Sequence, residues 1–296
     1  FIDCTFGGGG YSQAILKYPN TKVIAFDRDK LTENYANLLE KKFPKRFNFF
    51  KKKFSDINQV VDSKTNPKAI IFDLGLSSFQ LSDKKRGFSF KSEKFLNMEM
   101  GINEYSAYDV INTLNKENLA TIIKVLGEEK DGKIIANEID KYRSKKPIKT
   151  SKELASIVND AKKNYNKYKK NPATKTFQAI RIFVNKELTE LISGLIEATK
   201  LLSNGGILVV VSFHSLEDRI VKNFFSLYSN LKRNPSRYLP IKKNKSNLFK
   251  LVSKKPLVAD IKEIKENIRS RSAKLRYAIR TNSSFFYPNE FKDKFV

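Results

Sequence analysis

The first twelve residues constrain the fold of this chain more than any other stretch. An apolar start, Phe1-Ile2, leads into Asp3, and a run of four consecutive glycines, 7–10, follows a few residues later. This order predicts a strand that ends in a carboxylate, a tight loop and a helix that starts near Ser12. Glycine adopts positive φ angles and lets a ligand approach the main chain closely. In open α/β sheets, the corner after such a strand binds nucleotide-like ligands.

Three alternatives exist for this loop. A dinucleotide loop has the pattern G-x-G-x-x-G, and the stretch from Gly7 to Ser12 lacks the third glycine. Asp3 would repel a pyrophosphate, but it would attract the cationic sulfonium and ammonium groups of S-adenosylmethionine (SAM). We therefore favour SAM over NAD as the ligand. The third alternative is a turn without a ligand, although four glycines lose much conformational entropy on folding.

Apolar segments with strand character alternate with helical patterns through the first 75 residues. After the first strand they lie at 22–27, 47–54 and 68–75, and this β-α order predicts an α/β fold with a parallel, doubly wound sheet. Asp27 ends the second strand, where a carboxylate accepts hydrogen bonds from ribose hydroxyls. Capping of the next helix is the alternative role for Asp27. Asp73 ends the fourth strand in the same way.

A polar loop follows Asp73 and contains Ser77, Ser78 and Gln80. In methyltransferases of this layout, the end of the fourth strand faces both the adenine ring and the methyl acceptor. Gln80 is therefore a candidate partner of an adenine edge, and Asp73 is a candidate acceptor for an amine. A loop whose serines cap a helix is the alternative interpretation.

The middle of the chain has a different character. Residues 104–185 show helical periodicity and no convincing strand, which predicts a helical domain inserted into the α/β domain. The α/β domain is then expected to comprise residues 1–103 and 186–296. Within the insertion, Thr150 and Glu153 have the spacing of a capped helix start.

A long helix from Glu187 and the glycines 205–206 precede a strongly apolar strand at 207–213. That strand leads directly to His214, which is the single histidine of the chain. His214 is therefore expected at the same sheet edge as the three aspartates above, where it is a candidate catalytic residue. A structural role is the equally weighted alternative for a lone histidine.

The charge of the chain indicates a polyanionic partner. The net charge is +26, and residues 222–296 alone hold 19 basic and 5 acidic residues. Nucleic acid is the first candidate for that partner. AT-rich coding explains why lysine outnumbers arginine, but it does not explain the excess of bases over acids. The basic run 162–170, with interleaved tyrosines, and the Lys/Arg-rich stretch 232–255 are expected to be loops that contact phosphates or solvent.

Several classes of protein are excluded by the composition. A single cysteine, Cys4, forbids an internal disulfide and favours a reducing, cytoplasmic location. No apolar run reaches the ~18 residues of a membrane span, and no metal site is predicted. Because the chain lacks an initiator Met and begins inside a predicted strand, we expect a short segment to precede Phe1.

Seven blocks spread over nearly the whole chain resemble one family, the RsmH (MraW) ribosomal RNA small-subunit methyltransferases. The blocks PATKTFQAIR and FHSLEDR, in this order and spacing, are the most specific. The matching stretches are DCTFGGGG (3–10), AFDRD (25–29), DLGLSS (73–78), RGFSF (86–90), NPATKTFQAIR (171–181) with NKEL (185–188), SFHSLEDR (212–219) and RSAKLR (271–276).

The resemblance implies a class I SAM-dependent methyltransferase fold with an inserted helical domain. It implies N4-methylation of one cytidine of 16S rRNA, in the decoding region near the P site of the small ribosomal subunit, and it suggests a homodimer. The implied SAM contacts are Gly9, Gly10, Tyr11, Asp27, Phe54, Asp73 and Gln80. The candidate substrate contacts are Arg181, Asn185, His214, Asp218, Arg271 and Arg276, and the candidate catalytic residues are His214 and Asp73.

The chain departs from the family pattern at three places. Cys4 replaces a usual glycine, Tyr11 replaces a usual histidine, and LNMEMG (96–101) stands where the family usually has L-D-M-R-M-D. Two alternative functions stay open on the same fold: a DNA amino methyltransferase, and a non-catalytic RNA-binding assembly factor, for which the departures at Tyr11 and Glu99 leave room. DNA amino methyltransferases typically carry Pro-Pro after the acidic position that Asp73 occupies here, and this chain has no such pair there.

Overall fold

The computed structural model describes residues 1–162, 171–229 and 247–287 of the chain. Most of the basic run 162–170, and the stretch 232–255 as far as residue 246, lie outside the described residues. Packing divides the chain into two compact units, Phe1–Gly75 with Leu188–Val296, and Leu76–Glu187. The first unit holds the predicted glycine loop, and the second unit is helical.

The first unit is built on one mixed sheet. Its strands are β1 (Ile2–Asp3), β2 (Val23–Asp27), β3 (Phe47–Lys51), β4 (Ala69–Asp73), β5 (Ile207–Ser212), β6 (Phe249–Leu251), β7 (Leu257–Val258) and β8 (Lys274–Arg280). The strand order is β3-β2-β1-β4-β5-β8-β6, and β7 also pairs with β8. Strands β1 to β5 are parallel, and β8 runs antiparallel to β5. The predicted doubly wound α/β fold is confirmed.

Eleven α-helices lie in the described residues. In chain order they are α1 (Gly10–Leu16), α2 (Thr32–Lys42), α3 (Ser78–Ser82), α4 (Ala107–Thr113), α5 (Lys116–Leu126), α6 (Gly132–Arg143), α7 (Ser151–Ala161), α8 (Thr174–Val184), α9 (Glu187–Leu201), α10 (Ser215–Tyr228) and α11 (Ile261–Glu266). None of these helices is long and apolar enough to cross a membrane.

The core of the first unit forms around the central strands β4 and β5. Their continuous apolar runs are buried, as in Ile70, Phe72, Leu208 and Val210, because helices cover both faces of a parallel sheet. These side chains belong to one hydrophobic cluster with the inward face of α9. The outcome is a rigid sheet whose parallel strands all end at one edge.

The helical unit begins earlier in the chain than the predicted insertion at residue 104. The unit starts at Leu76 because the segment before α4 packs into the helical core. Leu96, Met98 and Met100 are buried there in one cluster with Ile111 and Ile180. Apart from an isolated bridge between Phe95 and Thr150, this unit contains no strand pairing in its described residues.

Local signals placed some element boundaries accurately. Thr150 caps α7, and its side chain and that of Glu153 form the predicted reciprocal capping box. The predicted strand 207–213 and the helix from Glu187 appear as β5 and α9. By contrast, β6 lies inside the stretch 232–255 that was expected to be loop, and it pairs with β8.

Candidate active site

The polar residues at the ends of the parallel strands lie along one edge of the sheet. β1 lies between β2 and β4, so the chain direction across the sheet reverses at β1, and the crevice beside such a reversal is the usual ligand site. Asp3, Asp27 and Asp73 end β1, β2 and β4, and His214 follows β5. The structure therefore brings these four sequence-predicted residues to the same edge.

The glycine loop is organised by Asp3, which is completely buried. Its carboxylate accepts a hydrogen bond from Ser12 Oγ at 2.7 Å and one from the Thr5 N–H at 3.3 Å, so it ties the end of β1 to α1. Burial raises the pKa of Asp3 above its ordinary value, while these hydrogen bonds oppose the rise. The oxygens of Asp3 are thus directed at protein donors, which makes this residue an organiser of the loop.

The glycines of the loop have two different functions. Gly9 has φ of 80°, and a Cβ there would lie 2.9 Å from the Phe6 ring, so the turn itself requires glycine. Gly8 and Gly10 are different, because a Cβ at either position would meet no atom within 4 Å. Their main chain therefore borders open space that a ligand can approach.

Asp27 connects the second strand to this loop. One carboxylate oxygen accepts the Gly7 N–H at 2.8 Å, and the other accepts the Asp29 N–H at 2.9 Å. Burial raises the pKa of Asp27 to about 6, although these two hydrogen bonds lower it. Because a carboxylate oxygen has two lone pairs, each oxygen can accept one further bond, which suits the two hydroxyls of a ribose.

Asp73 carries an unused acceptor. Its backbone N–H donates to Thr5 Oγ1 at 2.6 Å, but its buried Oδ1 has no hydrogen-bond partner among the described residues. Burial, followed by the negative charges of Asp3 and Glu217, raises the pKa of Asp73 to about 6. A buried acceptor without a donor is costly, and a bound donor would remove that cost.

Tyr11 lies close to the same carboxylate. It is 38% exposed, and burial, followed by the charges of Asp73, Asp3 and Glu263, raises the pKa of its phenol to about 12. The phenol therefore stays protonated at neutral pH. Tyr11 thus offers a hydroxyl donor beside the glycine loop.

His214 is tied into the start of its own helix. It is the N-cap of α10, and its Nδ1 accepts the Glu217 N–H at 3.4 Å. The Glu217 carboxylate accepts the N–H groups of Phe213 and His214 at 2.9 and 3.3 Å. Its other oxygen lies 3.1 Å from His214 Nε2, within ion-pair distance though not aligned for a hydrogen bond. Nδ1 is thus engaged, whereas the buried Nε2, like Asp73 Oδ1, has no hydrogen-bond partner among the described residues, so both Asp73 and His214 stay candidate proton acceptors.

Glu217 was missed by the sequence analysis. Its side chain is buried, and it determines the position of the imidazole. The signal was present, because the spacing from His214 to Glu217 is that of a capping box with histidine in place of serine or threonine.

Asp218 and Arg276, two further sequence-predicted residues, form an ion pair with each other. Asp218 lies 2.7 Å from Arg276 Nε and 3.1 Å from Lys274 Nζ, which links α10 to β8. Burial alone would raise the pKa of Asp218, but these two cations lower it below its ordinary value. Arg276 also donates to the Lys254 carbonyl oxygen at 3.0 Å. Arg271, by contrast, is exposed on a 3₁₀ turn at 268–272.

The candidates of the helical unit have structural partners. Arg181 forms a bidentate pair with Glu187, with both N···O distances 2.8 Å. Asn185 is 1% exposed. Its Oδ1 accepts from the Met100 N–H and from Asn103 Nδ2, and its Nδ2 donates to the carbonyl oxygens of Met98 and Arg181. We therefore do not carry Asn185 forward as a substrate contact.

Gln80 also has a structural task. It is the N3 residue of a capping box at α3, where its Oε1 accepts the Ser77 N–H at 3.0 Å. This arrangement matches the alternative interpretation, in which the serines of this loop cap a helix. A contact between Gln80 and an adenine edge stays a prediction.

Comparison with known proteins identifies the family. The sequence profile described as the MraW methylase family matches residues 1–281. The chain belongs to this family. The predicted family, the methyltransferase class and the use of SAM by that class are thereby confirmed.

Similar proteins cover nearly the whole chain. Ribosomal RNA small subunit methyltransferase H of Ehrlichia canis (strain Jake) is 45% identical over 284 residues, which cover 95% of this chain and 93% of that protein. The protein of the same name from Sulfurihydrogenibium sp. (strain YO3AOP1) is 44% identical over 285 residues, with 95% and 92% covered. The crystal structure of an rRNA methylase from Streptococcus thermophilus aligns with a TM-score of 0.41 and 10% identity, covering 95% of this chain and 86% of that one.

Proposed function

We propose that this member of the MraW methylase family transfers the methyl group of SAM to the N4 amine of one cytidine in 16S rRNA. The proposed position is in the decoding region near the P site of the small ribosomal subunit. The names of the relatives, which specify a ribosomal RNA small subunit methyltransferase, and the net charge of +26 support an rRNA substrate. The observation that carries the chemistry is the unpartnered, buried Oδ1 of Asp73 at the sheet edge.

The residues at the sheet edge fit an adenosyl ligand. The two free lone pairs of Asp27 suit the ribose hydroxyls, and the open space above Gly8 and Gly10 accommodates a ligand against the main chain. We propose that the cofactor contacts in the first unit are Gly9, Gly10, Tyr11, Asp27, Phe54 and Asp73. When bound, SAM supplies an electrophilic methyl group.

The chemistry required of the protein is limited but specific. The N4 amine of cytosine is a poor nucleophile, because its lone pair is delocalised into the ring. Asp73, when ionised, accepts a hydrogen bond from an N–H of this amine and increases the electron density on nitrogen. As the N–C bond forms and the methyl C–S bond breaks, the nitrogen loses a proton to Asp73 or to water. Holding the amine in position contributes much of the rate.

The target base has to leave its stack to reach such a crevice, as in other enzymes that modify nucleobases. Exposed Arg271 suits a phosphate contact, since the planar guanidinium pairs with phosphate oxygens. We further propose that the protein acts in the cytoplasm, where its ribosomal substrate is found, and that it acts as a homodimer.

A substrate panel tests this function. The purified protein is incubated with methyl-tritiated SAM and with small ribosomal subunits that lack the modification, free 16S rRNA or double-stranded DNA. Nuclease digestion and mass spectrometry then identify the product. We expect N4-methylcytidine in the ribosomal substrates only. Methylation of DNA alone would instead indicate a DNA amino methyltransferase, and RNA binding without methyl transfer would indicate an assembly factor.

A further inference from the structure

Phe54 lies between β3 and α9, and contacts on several sides determine the position of its side chain. It opens the 3₁₀ turn Phe54–Gln59 that follows β3, and its side chain is half-buried. Its ring meets the ring of Phe72 edge-on, with centroids 5.2 Å apart and an interplanar angle of 85°. Phe72 is completely buried in β4, directly before Asp73, so one side of the Phe54 ring rests on the rigid core.

The residues on both sides of Phe54 are bound by one glutamate of α9. Ser55 Oγ donates to Glu190 Oε2 at 2.6 Å. Lys53 Nζ lies 3.6 Å from Glu190 Oε1. The Glu190 side chain is only 14% exposed, so these contacts are partly shielded from water. The main chain that carries Phe54 is therefore held at two adjacent points.

The same face of α9 also makes room for the Phe54 ring. Gly194 lies one turn after Glu190, and residues four apart share a helix face. A Cβ at Gly194 would lie 2.5 Å from Phe54 Cδ2 and 2.9 Å from Cε2. It would also lie 3.1 Å from the Phe72 ring, so the Phe54 ring would have to move. Only glycine at position 194 permits the observed ring position.

We propose that Glu190 and Gly194 of α9 are positioning residues that set the orientation of the Phe54 ring and thereby the affinity of the site for its adenosyl cofactor. Glu190 fixes the main chain on either side of Phe54, and Gly194 fixes the ring. This inference rests on the proposed function, in which Phe54 contacts the adenosyl group. Neither residue touches the cofactor or the reacting atoms, so both act through Phe54.

Calorimetric titration with S-adenosylhomocysteine tests the inference without requiring methyl transfer. Gly194→Ala is expected to weaken binding by about three- to tenfold, the range for the loss of one aromatic contact. In steady-state assays, the KM for SAM should rise by a similar factor while kcat at saturating SAM changes by less than about twofold. A role confined to folding would not produce this separation of KM from kcat.

A double-mutant cycle shows whether the effect passes through Phe54. Phe54→Ala is expected to weaken binding by itself. In that background, Gly194→Ala should have almost no further effect, because the ring that it displaces is absent. An undiminished effect of Gly194→Ala in the Phe54→Ala background would overturn the proposal.

Glu190 supplies a second, independent variant. Glu190→Ala should weaken cofactor binding about two- to fivefold, and Glu190→Gln, which keeps an oxygen for Ser55, should weaken it less. Glu197→Ala is the matched control on the same helix, because Glu197 pairs with Lys200 at 2.7 Å and not with the Phe54 segment. Its affinity should equal that of the wild type.

The possible failures can be told apart. If Phe54→Ala weakens binding but Gly194→Ala and Glu190→Ala do not, the positioning role is wrong while the proposed function stands. If Phe54→Ala leaves the affinity unchanged, Phe54 is not a cofactor contact and the inference falls with it. A wild-type protein that binds S-adenosylhomocysteine but methylates no rRNA would refute the proposed function alone.

Discussion

The sequence-predicted site residues at the sheet edge of the first unit differ from two of those in the helical unit, Asn185 and Arg181, in how much hydrogen-bonding capacity they have left. At the sheet edge, Asp27 has lone pairs to spare and Asp73 has an oxygen without a partner among the described residues. In the helical unit, Asn185 and Arg181 are matched by protein partners. Both sets of residues lie in the blocks that resemble the family. Membership of a motif therefore does not by itself mark a group that is available for chemistry, and among these four residues the remaining hydrogen-bonding capacity distinguishes Asp27 and Asp73.

Asp73→Asn should have the largest effect. It keeps the shape of the side chain but removes the charge that accepts the amine proton, so methyl transfer should slow by about 100-fold or more. Single-turnover assays at saturating SAM measure the rate, and calorimetry should show cofactor affinity within about tenfold of the wild type. A wild-type rate in this variant would show that the unpartnered oxygen has no role in the reaction.

Asp27→Ala should mainly reduce cofactor binding. Loss of hydrogen bonds from ribose hydroxyls to a charged acceptor should weaken SAM binding by about ten- to hundredfold. Asp27→Asn is the matched control, because its amide oxygen still accepts one bond, and it should lose less affinity. Unchanged affinity in Asp27→Ala, measured by calorimetry, would remove the ribose assignment.

Asn185→Ala should act on stability instead. It leaves several buried backbone and side-chain groups of the helical unit without partners, which should cost about 2–4 kcal/mol of unfolding free energy. Urea unfolding measures this loss, and exposed Asn118→Ala in the same unit is the control that should be nearly neutral. If Asn185→Ala is as stable as the wild type but defective in RNA methylation, Asn185 belongs with the substrate contacts.

Arg271→Ala and Arg276→Ala should have the smallest effects of these substitutions. Comparing them distinguishes an exposed RNA contact from a structural ion pair. Exposed Arg271 should contribute a few-fold to RNA affinity, and its loss should reduce the slope of log affinity against log salt by about one. Arg276 pairs with Asp218, so its loss should lower the melting temperature with little change in that slope. The same salt dependence in both variants would contradict this distinction.

The sequence was sufficient for much of the fold because strong local signals coincided with the sheet. The period of apolar residues, the glycine loop and the Thr150 cap each predicted an element that is present. The strand β6 was not predictable, because its short segment is a strand only through pairing with β8, about 30 residues later in the chain. The start of the helical unit was also not predictable from the sequence, since only the folded structure shows that Leu96 and Met98 pack into the helical core.

The site was predictable at the ends of strands and not beyond them. Asp27 and Asp73 could be located because parallel strands must end at one edge. Helix α2 shows the limit, because its apolar residue Leu38 and its N-cap residue Leu31 are exposed while the small Ala36 is buried. Periodicity identifies a helix, but how closely that helix packs against its neighbours decides which of its side chains are buried. For the same reason, the α9 residues around Phe54 emerged only from tertiary contacts.

The pH dependence of single-turnover methyl transfer tests the central role of Asp73 most directly. Because the pKa of Asp73 is raised to about 6, the carboxyl group is protonated below that pH and cannot accept the amine proton. SAM is kept saturating at each pH so that titration of Asp27 does not enter the measured rate. The rate should rise with pH through a midpoint near 6 and then level off, and this acid limb should be absent in Asp73→Asn. A wild-type rate that is flat from about pH 5 to 8, or an identical limb in Asp73→Asn, would contradict the account.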